Sequence, residues 1–181
     1  MKKLQIWLVA LVMAAGLGLI VPGSASAASY CGIVWGSLAK TNAAMSTAQV
    51  TNVRTGQQPC YDRLVIDLNG KVAGFTVKYV SQVVQEGSGL PVALRGGAFI
   101  QVTVNAPAYN SSGQPTYNPA NKKELSNVSG YQTFRQVAWA GSFEGYTTIG
   151  LGVRARLPFR VFTLAGPGTG SRLVVDVAHF W

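Results

Sequence analysis

Beyond residue 60, apolar and polar residues alternate with period two along most of this chain. That is the spacing of strands with one buried face. In Arg63-Leu64-Val65-Ile66-Asp67-Leu68, the residues Leu64, Ile66 and Leu68 share a face, and the stretch ends at the turn-forming pair Asn69-Gly70. Phe75, Val77 and Tyr79 alternate with Thr76 and Lys78, and Gly87-Ser88-Gly89 marks a reversal. Ile100, Val102 and Val104 alternate with Gln101 and Thr103 as far as Pro107. Similar stretches cover 134–140, 146–154, 160–164 and 172–178, rich in Val, Ile, Thr, Phe and Tyr and punctuated by Gly and Pro. The pattern predicts an all-β, two-sheet sandwich of about seven to nine strands with one long polar loop. One Ala-rich segment, 37–48, reads as a short helix.

The beginning of the chain follows another pattern. Lys2 and Lys3 precede an uncharged run over 6–21, and Pro22-Gly23 then breaks any helix. Ser24-Ala25-Ser26-Ala27 supplies the small-residue site of a cleavable secretory signal peptide, read as residues 1–27. The rival is an uncleaved membrane anchor, for which the run is short of the ~20 residues a span needs. A lipoprotein acylated at Cys31 fits less well, because Tyr30 precedes it and a better site comes first. Cleavage leaves roughly 150 residues, enough for one core. We expect an N-terminal arm over 28–60 and a sandwich over 61–181. In an oxidising compartment the two cysteines, Cys31 and Cys60, read as a disulfide tying down that arm. Closing a loop of about 30 residues is worth on the order of 3 kcal/mol. A metal site is the weaker alternative, with no C-x-x-C and one histidine.

Charge narrows the partners. The chain carries +9 at pH 7, and only 12% of its residues are charged. Export argues against nucleic acid and for anionic wall polymers or membrane surfaces. A soluble domain that is simply basic stands beside this, since no basic run exceeds Lys122-Lys123. The long connection 105–133 holds Pro107, Pro115 and Pro119 with Tyr109, Tyr117 and Tyr131. Loops of this length are functional, mobile or plain surface excursions. These tyrosines, with Tyr146, are candidate ligand contacts, since a phenol ring stacks on sugars. Phe143-Glu144-Gly145-Tyr146 and Trp139 are further candidates for aromatic surface, with the core as the plainer place for Trp139. Asn110-Ser111-Ser112 and Asn127-Val128-Ser129 match the glycosylation pattern, which matters only in a eukaryotic secretory pathway.

One motif repeats. Arg63-Leu64-Val65-Ile66-Asp67-Leu68 returns as Arg172-Leu173-Val174-Val175-Asp176-Val177. Within one copy Arg and Asp stand ~13 Å apart along a strand. Antiparallel pairing in register would set Arg63 against Asp176 and Asp67 against Arg172. The doubled motif resembles the AMIN domain, a bacterial envelope module. The stretch 61–179 more closely resembles the AMIN-like domain of actinobacterial secreted proteins and lipoproteins. The resemblance rests on Tyr61 to Leu68, Gly87-Ser88-Gly89-Leu90-Pro91-Val92, Gly96-Gly97-Ala98 and Phe143-Glu144-Gly145. It continues through Gly150-Leu151-Gly152, Pro158-Phe159-Arg160-Val161-Phe162 and Arg172 to Val177. It implies a non-catalytic β-sandwich with peptidoglycan as presumed ligand. It also implies that the motifs are pseudo-symmetric copies, one per sheet, which competes with the pairing above. No catalytic or secretin domain accompanies the module here, which departs from the usual arrangement.

Enzymatic readings find little. The six carboxylates include no evident glycosidase pair; Asp67 and Asp176 read better as structural partners of arginines. His179 is the lone histidine, with no G-x-S-x-G nucleophile elbow. Gly166-Pro167-Gly168-Thr169-Gly170 lacks the lysine of a phosphate loop. No cofactor is implied. Three functions follow in order: an exported non-enzymatic envelope domain binding peptidoglycan or another wall polymer, an interaction module for another exported protein, and last a hydrolase. None calls for nucleic acid, or for a stable membrane anchor once cleavage has occurred.

Overall fold

The computed structural model describes residues 29–71 and 74–181. The expected signal peptide lies outside the described residues. The described residues form an all-β fold of antiparallel strands. The hairpin of β1 (Ser29–Tyr30) and β2 (Ile33–Val34) comes first, then β3 (Lys40–Asn42), β4 (Val50–Gln57), β5 (Tyr61–Leu68) and β6 (Phe75–Val80). A small hairpin of β7 (Val83–Val84) and β8 (Pro91–Val92) precedes β9 (Ala98–Val104) and β10 (Phe134–Phe143). The chain ends with β11 (Tyr146–Val153), β12 (Phe159–Ala165) and β13 (Ser171–Ala178). One sheet runs β10-β11-β9-β6-β3 and the other β12-β13-β5-β4. The segment expected as an arm therefore supplies β3 to one sheet and β4 to the other.

The alternation read from the sequence is the packing pattern. Leu64, Ile66, Leu68, Leu173, Val175 and Val177 meet Val77, Ile100, Val102, Ile149 and Leu151 in one buried core. The segment 37–48 is not helical and contains β3, paired to β6 at an edge. Alanine propensity is worth only tenths of a kcal/mol per residue and needs an apolar face to bury. Here Leu38 and Met45 stay exposed, so no such face exists.

The repeated motifs lie side by side in one sheet. In the pairing of β5 with β13, Arg63 stands opposite Asp176 and Asp67 opposite Arg172. This corrects the expectation of one copy per sheet: each copy puts its aliphatic triplet into the same core. Arg63 grips Asp176 with Nε at 2.7 Å and a terminal nitrogen at 2.9 Å, and Arg160 of β12 reaches the same carboxylate at 2.8 Å. The second cross-pair does not close. Asp67 accepts instead from Arg54 of β4 at 2.8 and 3.0 Å, while Arg172 donates to the Ala165 carbonyl. Cys31 and Cys60 are bonded, tying the β1–β2 hairpin to the start of β5.

Candidate functional site

The outward face of β11 is nearly bare. Gly150 and Gly152 sit there, opposite Ala138 and Gln136 of β10. Small residues leave a trough that another segment can enter. The stretch 83–95 enters it: a Cβ on Gly150 would come within 2.9 Å of Leu94 and 3.2 Å of Val83. Its backbone is fastened by Glu86 N to the Ala140 carbonyl at 2.7 Å and by Arg95 N to the Gln136 side chain at 2.7 Å.

The long 105–133 loop builds the opposite wall. Trp139 N donates to the Lys122 carbonyl at 2.7 Å, Leu125 N to Val137 at 2.8 Å, and the Gln136 amide to Lys123 at 2.9 Å. Between the walls runs a groove of about 890 Å³. That falls within the usual range for binding sites, roughly 300–1,000 Å³. Ala138, Leu94 and Trp139 line it, the Trp139 side chain packing against the core as its plainer reading expected, and Phe143 stands half exposed at one end.

Its charge is one-sided. Arg95, Lys122 and Lys123 line the groove, and Glu86 is the single lining carboxylate. Arg95 bonds Glu124 at 2.5 Å, which raises its pKa further above the ordinary guanidinium value, against a smaller opposing effect of desolvation. Glu86 accepts from Thr148 at 2.5 Å. Among the described residues neither lysine side chain has a carboxylate partner. Two facing carboxylates, which glycosidase chemistry requires, are not brought together in the groove. His179 is buried on Asp62 at 3.1 Å, and the other oxygen of Asp62 takes the amides of Thr133 and Phe134. The pair closes one end of the sandwich. Among the described residues no cluster of three or more histidine, cysteine or acidic side chains is placed to hold a metal.

None of the four candidate tyrosines lines this groove. Tyr117 packs edge-on against Trp139 with ring centres 5.5 Å apart, and burial pushes its phenol pKa up. The Tyr109 hydroxyl accepts from Gly145 N at 3.1 Å, bracing the β10–β11 turn where Glu144 and Gly145 both adopt positive φ. Tyr131 stacks on Phe134 and bonds Thr55. Tyr146 is exposed beside Phe143 at the same turn. Sequence reasoning noticed Trp139, Phe143 and Lys122-Lys123 separately but missed Glu86, Arg95 and Gln136. The available signal was the glycine pair of β11, spaced by two on an outward face.

The family model described as the AMIN-like domain matches residues 48–179, most of the chain. The chain belongs to the AMIN-like family. Membership suggests an envelope-associated binding domain of a generally non-catalytic kind and fits an exported protein. The AMIN-like match begins before β4, in keeping with β4 as an integral strand. No curated protein and no solved structure matches the chain.

Proposed function

We propose that this AMIN-like protein is an exported, non-enzymatic envelope domain that binds peptidoglycan or another anionic wall polymer in the groove beside β10. The observation that carries this is the lining: Lys122 and Lys123 without carboxylate partners and Arg95 paired to Glu124, against Glu86, with Phe143 half exposed at one end. Aromatic rings take the apolar faces of sugars, and ammonium and guanidinium groups take carboxylates or phosphates. Export by residues 1–27 belongs to the same proposal, and a disulfide suits an oxidising compartment.

The test is co-sedimentation of the exported protein with purified cell walls over a salt series. Retention that outlasts modest salt supports contact in the groove, because exposed charge attraction alone is screened within about 10 Å at 0.1 M. Absence from the pellet even at low salt would end the proposal. A second reading, docking of another exported protein, is favoured by β12. That edge strand has exposed residues at its C-terminal half and one backbone bond on its open side, from Phe159 N to Gly36.

A further inference from the structure

The end of the sandwich farthest from the β10–β11 turn carries an unusual concentration of exposed apolar side chains. Val34 is 75% exposed, Leu38 79%, Phe180 55% and Trp181 67%. They are held together. The Phe180 ring meets Tyr30 of β1 at 5.8 Å, and the Trp181 indole N–H donates to the Arg156 carbonyl at 3.0 Å. The Arg156 guanidinium in turn donates to the Ser37 carbonyl, next to Leu38. Arg154 lies over the Phe180 ring and bonds the His179 carbonyl. The Cys31–Cys60 bond fixes the hairpin that bears Val34. Isolated exposed apolar residues need no explanation, but a fixed cluster rimmed by cations does.

We infer that this end is a membrane-surface contact that takes the headgroup region of an anionic lipid bilayer. Tryptophan, phenylalanine and aliphatic side chains with flanking arginines form the combination that partitions to that region. No acidic side chain is exposed here: Asp62, at this end, is fully buried on His179. Position agrees. Ser29, at the root of the hairpin, follows the apolar stretch 6–21 by seven intervening residues, a reach of at most about 25 Å. With export by residues 1–27 as proposed above, this end lies within that reach of the bilayer the stretch meets. The contact is separate from the groove, and neither depends on the other.

The experiment compares the exported protein with its L38S/W181S variant in sedimentation with phosphatidylcholine–phosphatidylglycerol vesicles and with pure phosphatidylcholine vesicles. Mass spectrometry fixes a common N-terminus, and matching thermal melts show that both are folded. The wild type is expected to pellet with the mixed vesicles, less with the neutral ones, and the variant to lose about tenfold in partitioning. R154Q/R156Q is expected to abolish the preference for anionic lipid while leaving wall retention as in the wild type. A variant that partitions like the wild type would overturn the inference. So would a wild type that ignores anionic vesicles, or a dimer in sedimentation velocity that the substitutions dissolve.

Discussion

Asp176 is fully buried, and two partly exposed arginines close on it from neighbouring strands. Tyr61 and Phe162 lie under both guanidiniums, and Trp35 under that of Arg160. Removing a buried partner costs more than the pair is worth, because the remaining charge is uncompensated. Asp176→Asn is expected to destabilise the fold by about 3 kcal/mol, measured by urea denaturation. Asp67→Asn, at a more exposed pair with Arg54, should cost less than about 1 kcal/mol. The repeat in the sequence announced the Arg63–Asp176 contact, but it could not show that Arg54 would take Asp67 from Arg172. That choice depends on β4 lying at the edge beside β5. Tyr79 gives a pH prediction. Its hydroxyl donates to the Leu157 carbonyl and accepts from Leu157 N, and burial pushes its pKa up to about 12. The protonated phenol is favoured by folding. Its contribution is thus complete below pH 10 and is lost as pH rises toward 12. Alkaline unfolding should flatten over this window in Tyr79→Phe; an unchanged profile would contradict that assignment.

Strands were legible from period-two alternation wherever one face meets the core, as in β5, β9 and β13. The short β1, β2, β7 and β8 were not, since two residues carry no period. The 105–133 loop illustrates another limit. Its polar surface composition concealed that Ala106, Ala108 and Val128 are buried in the core and that Leu125 and Tyr131 pack against it. Its attachment to β10 runs in part through backbone groups at Trp139 and Leu125, which every residue carries, so side-chain patterns could not reveal those bonds. At this scale two substitutions are informative. Cys31→Ser with Cys60→Ser should lower the denaturation midpoint by an amount equivalent to about 3 kcal/mol and free the β1–β2 hairpin to proteolysis. Gly152→Ala should push against the Arg95 carbonyl and shift the 83–95 wall of the groove. Wall binding should fall more than stability does, read by pairing sedimentation with thermal melts.

For the molecule as a whole, charge is distributed with purpose. All six carboxylates lie among the described residues; Glu86 alone lines the groove, and none is exposed at the hairpin end. Leaving out Lys2 and Lys3 of the segment 1–27, 13 basic residues stand against 6 acidic ones, a surplus of +7 available to an anionic polymer or surface. Composition gave the sign of that surplus, but only the folding of two distant segments over β10 gives it a place. Amide chemical-shift mapping with solubilised wall fragments tests that place most directly. The account predicts shifts concentrated at Lys122, Lys123, Ala138, Trp139 and Phe143, and their loss in K122E/K123E. Shifts confined to the outer face of β5, β12 and β13, or none at all, would contradict it.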